Sequence, residues 1–438
     1  MIEPLLYLST RGRSPAATIS SAIAAGLAPD GGLYVPEALP RLDPARFDPN
    51  GSLADTAATL LAPFFAGDPL ADALPAICRE ALDFDTPLRP LPPHDACMLE
   101  LFHGPTAAFK DVGARFLAAC LRRLPRADAR PLSILVATSG DTGAAVGAAF
   151  HGQPGVRVVI LYPDGRVSPR QAHQLGCFGG NVMALRVQGR FDDCQRMVKA
   201  ALNDAELQAE RPLSSANSIS LGRLLPQMSY YAHAALAWWR EHDTPLNLIV
   251  PTGNLGNALA ALWVREIGLP VGEICLACNA NATLPEFFEG QDYRPREAVA
   301  TLANAMDVGA PSNFERLRWT FPYAAELRAQ IQAISVDDAT IRETLARHAQ
   351  AHGEVFCPHT ATAMHLLDRL RAAGNNAPWA IVATAHPAKF ESVVEPLTGR
   401  PVPVPAALAA MLQRPASAEP MAADDEALKR WLREPAYA

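Results

Sequence analysis

Leu246-Asn247-Leu248-Ile249-Val250 runs directly into Pro251-Thr252-Gly253-Asn254-Leu255-Gly256-Asn257 and then into the helical stretch Ala258 to Ile267. The first five residues are an apolar run of strand length. The next seven hold the proline, glycine and asparagine of a turn, and the rest is rich in alanine and leucine. Strand, turn and helix in that order make half of a parallel βαβ unit. Two other segments repeat the design. Ser133 to Thr138 ends at Ser139-Gly140-Asp141-Thr142-Gly143 before a helix from Ala144 to Phe150, and Trp379 to Ala383 leads into Thr384-Ala385-His386-Pro387-Ala388-Lys389-Phe390. Arg157 to Tyr162 and Asn181 to Val187 read as further strands, with Phe191 to Asn203 as a helix. The alternation predicts an α/β fold of parallel twisted sheets flanked by helices.

In such folds ligands bind at loops after the carboxyl ends of strands, and helix N-termini offer unpaired N–H groups to anions. The glycines of residues 253–257 do not fit the dinucleotide fingerprint, and no Gly-Lys-Ser/Thr follows them as a phosphate-binding P-loop requires. A small phosphate suits this turn better than a nucleotide; the alternative is a plain tight connection. A second segment, Leu99-Glu100-Leu101-Phe102-His103-Gly104-Pro105-Thr106-Ala107-Ala108-Phe109-Lys110-Asp111, sets one lysine among apolar and turn-forming residues. Lys110 is therefore a candidate covalent catalyst, because an amine shielded from bulk water can add to an aldehyde. The competing reading is a solvent-facing lysine at a helix start.

Together with Ser9-Thr10-Arg11-Gly12, Gly26 to Tyr34, Ser215 to Ser220 with Arg223, and Asn304 to Val308, these motifs make the chain resemble the threonine synthase family from end to end. That family belongs to the fold type II pyridoxal-phosphate (PLP) enzymes, which are tryptophan synthase β-like. The resemblance is to the shorter bacterial and fungal branch, and it implies an extra N-terminal domain.

The resemblance also implies roles. Lys110 holds PLP covalently and then carries protons, which requires an amine pKa below the ordinary ~10.4. The cofactor phosphate is expected on the backbone amides of Gly253, Asn254, Leu255, Gly256 and Asn257, although the commonest family form has phenylalanine for Leu255 and aspartate for Asn257. Thr384 is the candidate partner of the cofactor's pyridine nitrogen, or else an ordinary helix cap. Ser139, Gly140, Asp141, Thr142 and Gly143 resemble the loop that grips a substrate α-carboxylate. Asp141 is awkward beside a carboxylate, and is read as an Asx residue bonding local amides. The implied substrate, O-phospho-L-homoserine, brings a second phosphate. Asn217, Ser218, Arg223 and Lys389 match family positions in its neighbourhood, and Arg223 could instead pair with a surface acid. The implied reaction expels the γ-phosphate, adds water at Cβ and releases threonine. A serine or threonine dehydratase-like lyase would share Lys110 and the glycine turn without a second phosphate site. A non-catalytic relative would not need Lys110 and both loops.

The 438 residues suggest two or three domains, and the 49% hydrophobic content with a net charge of -7 gives a globular, mildly acidic chain. No basic run interleaved with aromatics points to nucleic acid, and no apolar stretch is long enough for a membrane. A cytoplasmic enzyme, monomeric or weakly self-associating, is expected. The 8 cysteines read as reduced packed thiols. Cys275-Leu276-Ala277-Cys278 has the C-x-x-C form, but lies in a strand pattern that points the two thiols to opposite faces, and no metal is assigned. The proline-rich run Pro87 to Pro93 closes an N-terminal unit of residues 1–91. A catalytic region of two lobes follows over 92–400, the smaller and mobile one spanning about 125–212. The tail, 401–438, is expected to wrap the surface.

Overall fold

The computed structural model describes residues 4–125 and 130–434. Among these residues lie thirteen strands: β1 (Tyr7–Ser9), β2 (Tyr34–Pro36), β3 (Leu88–Leu91), β4 (Ala96–Glu100), β5 (Leu132–Ala137), β6 (Val156–Pro163), β7 (Val182–Gln188), β8 (Leu213–Ser215), β9 (Leu246–Pro251), β10 (Val271–Cys278), β11 (Ile331–Ser335), β12 (Trp379–Ala383) and β13 (Glu419–Ala422). They form two main sheets. The larger has the order β11-β10-β9-β12-β4-β3 and is parallel except for β3, which pairs antiparallel to β4. The smaller, β13-β7-β6-β5-β8, is parallel throughout.

Burial explains the sequence patterns. Every residue of β9 is buried, as expected of a central parallel strand covered on both faces, so it reads as a continuous apolar run with no alternation. The helix Gly256–Glu266 that follows is buried from Gly256 through Val264, which is why its alanines and leucines show no polar face. Cys275 and Cys278 on β10 enter different hydrophobic clusters on the two sides of the sheet, as the strand alternation predicts.

The N-terminal unit pairs β1 with β2 and packs helices Ile19–Ala25, Leu53–Leu61 and Leu74–Ala81 against the main body. Ser52 and Asp55 start the second of these helices with a capping box. The proline run does not stand outside the sheets. Leu88–Leu91 is β3, an edge strand, where a proline's missing donor costs nothing if it faces away from the ladder. The tail differs more from expectation. Instead of wrapping the surface it supplies β13 to the edge of the small sheet, and helix Asp425–Arg433 buries Leu428, Trp431 and Leu432 behind it. Its last four residues, 435–438, lie outside the described residues. Among the described residues no helix is long and apolar enough to cross a membrane.

Candidate active site

In the large sheet β9, β12 and β4 are neighbours, so their carboxyl ends deliver Gly253–Asn257, Thr384 and the Lys110 segment to one crevice. The small sheet delivers the other half. β5 and β8 are paired, which sets Ser139–Gly143 beside Asn217 and Ser218, and Asn217 Nδ2 donates to Ala137 O at 3.4 Å.

Lys110 begins helix Lys110–Arg123. The preceding loop is pinned by Phe109 N donating to Thr384 O at 2.9 Å and His386 N donating to Ala107 O at 3.0 Å. Asp111 closes it from within, accepting from Thr106 N at 2.8 Å and Thr106 Oγ1 at 2.7 Å. Ala107 holds a left-handed conformation (φ 57°), a cost tolerated because both flanks are tied. Lys110 is half-buried and not the solvent-facing residue of the competing reading. Burial and, to a lesser degree, the Arg223 guanidinium bring its amine down to about 8 against the opposing pull of Asp141.

The glycine turn has the properties of an anion cradle. Thr252 N is used, donating to Ala277 O, but the amides of Gly253, Asn254, Leu255, Gly256 and Asn257 donate to no acceptor among the described residues. Leu255 turns the chain with φ 64° while its side chain stays buried. A Cβ on Gly253 would lie 2.7 Å from Met306 Cα, so the close approach of two backbones requires glycine here. Asn254 braces the turn: its Nδ2 donates to Ser218 Oγ at 2.5 Å and its Oδ1 accepts from Ser312 N at 2.5 Å. Asn257 Oδ1 accepts from the hydroxyls of Tyr230 and Tyr231, a role open equally to the aspartate common in the family.

The Thr384 hydroxyl makes no hydrogen bond among the described residues. The helical cap after β12 is His386, whose ring accepts from Ala388 N, so the ordinary-cap reading of Thr384 is set aside. At the start of helix Asp141–Phe150, Thr138 Oγ1 accepts from Gly140 N at 3.0 Å and Gly143 N at 2.9 Å. The amides of Asp141 and Thr142 and the hydroxyls of Ser139 and Thr142 remain uncommitted.

Asp141 is not an Asx residue bonding local amides. It is buried, accepts from Gln171 Nε2 at 3.0 Å and pairs with Lys389 Nζ at 2.8 Å. Burial raises its carboxyl but the Lys389 charge outweighs this, and its pKa falls below the ordinary value. The carboxylate that looked misplaced therefore neutralises a fully buried ammonium, which also donates to Thr106 O at 2.9 Å. Arg223 is likewise buried and pairs with no surface acid. It donates to Ala216 O, its Nε has no partner, and burial lowers its pKa to about 10. A Cβ on Gly113 would lie 2.8 Å from that Nε, so glycine one turn beyond Lys110 admits the guanidinium.

Two polar residues here, His359 and Gln171, were not foreseen. His359 is buried at the start of helix Pro358–Ala372, accepts from Ala305 N at 3.0 Å, and burial drives its pKa to about 4, so it is neutral. Gln171 joins Asp141 to Asn304, whose Nδ2 donates to Gln171 Oε1 at 3.1 Å. Proline at the first helical position before His359 was the available signal. A cavity of about 600 Å³ opens beside Asn217, Ser218 and Asn254, ample for a small organic phosphate.

The family models agree with this geometry. The model for pyridoxal-phosphate dependent enzymes matches residues 81–387, that for the threonine synthase N terminus residues 6–82, and that for the threonine synthase C-terminal region residues 360–432. The chain belongs to the threonine synthase family. Threonine synthases of Serratia marcescens and Escherichia coli are each 38% identical over 95% of this chain and 96% of their own. A crystal structure of the Escherichia coli threonine synthase superimposes with a TM-score of 0.90 at 36% identity, covering 98% of this chain and 99% of that one. A PLP-bound threonine synthase from Brucella melitensis gives 0.87 at 33% identity, covering 98% and 99%. The family is PLP-dependent, and the fold is that of its type II members. Escherichia coli diaminopropionate ammonia lyase, at 14% identity and TM-score 0.58, shares the fold alone.

Proposed function

We propose that this threonine synthase family member converts O-phospho-L-homoserine and water to L-threonine and phosphate. The observation that carries the reading is a glycine turn of uncommitted amides at the carboxyl end of β9, with a buried, incompletely paired arginine at a separate position. The uncommitted amides of Gly253–Asn257 suit the phosphate of PLP; Asn217 and Ser218 on the cavity wall, with buried Arg223 and its unpartnered Nε, are assigned to a second phosphate, while Lys389 is already held by Asp141. Ser139, Thr142 and the free amides at that helix start are assigned to the substrate carboxylate. Thr384 offers a neutral hydroxyl to the cofactor ring. When bound, PLP withdraws electrons from the substrate's α-carbon. Lys110 is assigned to hold and return protons there, a role its lowered pKa supports. The 8 buried, unpaired cysteines support a cytoplasmic location.

The test is incubation with O-phospho-L-homoserine while phosphate and threonine are followed together; equal release is expected. Phosphate without threonine would sink the synthase reading in favour of a lyase. Borohydride reduction and peptide mapping should mark Lys110. Arg223→Ala should depress turnover by a few kcal/mol in transition-state terms while PLP is retained; equal loss of both would place Arg223 in the cofactor site or the fold.

A further inference from the structure

Helix Asp338–His352 carries His348 and His352 four residues apart, hence on one face. Across from them, the turn Pro92–His94 just before β4 presents His94. One ring nitrogen from each of the three lies within 4.8 Å of one from each of the others. The rings are mutually packed, with centroids 4.9 Å apart for His94 with His348 and for His94 with His352.

Proximity alone would be unremarkable, but the hydrogen bonding is incomplete in a particular way. His348 is 1% exposed, and its Nε2 faces Asp368 Oδ2 at 2.9 Å. The carboxylate accepts, so Nε2 carries the proton and Nδ1 holds a lone pair. That Nδ1 is buried without a partner. His94, with a side chain 10% exposed, has its Nδ1 3.9 Å from Asp368 Oδ1, and its Nε2 is likewise buried without a partner. Two interior ring nitrogens left without a partner make an arrangement that burial penalises. A cation shared with His352 resolves it. An imidazole whose other nitrogen donates to a carboxylate is also the oriented form in which histidine binds metals.

We propose that His94, His348 and His352 form a binding site for a borderline first-row dication such as Zn²⁺, with Asp368 orienting His348 and a water completing the tetrahedron. Zn–N bonds of about 2.0–2.1 Å require nitrogens about 3.3 Å apart, so the cluster must contract. Exposed His352, at the end of its helix, is the ligand free to move inward. The turn is already anchored, since Arg371 Nε donates to His94 O at 2.8 Å and its Nη2 to Asp95 O at 2.6 Å. The site lies at the amino end of β4. The five residues of that strand put it roughly 17 Å from the crevice at the opposite end. Its role is to clamp the turn before β4 to two helices, independently of the chemistry.

The experiment uses untagged, PLP-loaded protein freed of metal by a chelator and titrated with Co²⁺, then displaced by Zn²⁺. Binding of one equivalent is expected, with visible d–d bands, no thiolate charge-transfer band, and a raised unfolding temperature. His352→Ala, at an exposed position, should weaken binding by more than the roughly 10–100-fold cost of removing an outer partner, and Asp368→Asn by about that cost. Turnover should be unchanged in His352→Ala. No binding by the wild-type protein in excess metal, a thiolate band, or unaltered binding by His352→Ala would each overturn the assignment.

Discussion

Asp141 and Lys389 are the residues whose meaning depends most on three dimensions. A buried pair adds little net stability, but removing one partner strands the other charge. Asp141→Asn should therefore cost about 3–5 kcal/mol, read as a lowered urea midpoint, and Lys389→Met added to it should restore most of the loss. An additive double variant would show that the two do not interact. His359 gives a pH signature. Its native pKa of about 4 lies below the unfolded ~6.5, so between these values the unfolded chain binds the extra proton and stability falls as the medium is acidified. The loss from this residue is about 3 kcal/mol across that window. His359→Gln should flatten that part of the stability–pH curve; an unchanged slope would assign it to other groups. Placement was legible where it follows from the local motif, as with Lys110 at the start of its helix and out of full solvent. It was not legible where a role depends on a partner distant in the chain. Asp141 and Lys389 are far apart in sequence, as are His94 and His348, and single-sequence spacing cannot pair them.

At the scale of elements, strands flanked by turn residues were readable almost to the residue. Trp379–Ala383 is found as expected, and the helix Phe191–Leu202 ends one residue early. The helix expected from Ala144 begins at Asp141, because Thr138 Oγ1 takes amides of the turn and lets the helix start sooner. β13 was missed because Glu419-Pro420-Met421-Ala422 has neither β-branched residues nor apolar alternation; pairing with β7 makes it a strand. The glycine turn yields a sharper test. Gly253→Ala forces a methyl toward Met306 Cα, an overpacking cost of roughly 1–3 kcal/mol. PLP retention after gel filtration, followed by its visible absorbance, should fall while the far-ultraviolet circular dichroism stays constant. Full retention would mean that the turn does not hold the phosphate at its observed geometry.

For the whole molecule, one set of contacts joins the small-sheet layer to the loop that follows β12. Ser168 Oγ donates to Lys389 O at 2.5 Å, Arg170 Nη1 donates to Ala388 O at 2.7 Å, and the Asp141–Lys389 pair crosses the same boundary. A carboxylate bound at Ser139–Gly143 would be read on one side of that boundary while a phosphate near Lys389 is read on the other. Substrate is thus expected to draw the lobes together. Hydrogen exchange over residues 138–150 should slow when a non-reacting phosphonate analogue is added. Unaltered protection at saturation would favour a static pocket.

The pairing of β13 with β7 also bears on how the chain is made. On a ribosome Gln188 emerges some 230 residues before Glu419, which at ~5–20 residues per second leaves β7 as a naked sheet edge for roughly 10–50 s. During that interval the open ladder can recruit a strand from a neighbouring nascent chain. Once Glu419–Ala422 has paired with β7 the edge is closed, and helix Asp425–Arg433 packs Leu428, Trp431 and Leu432 behind the ladder to hold it there.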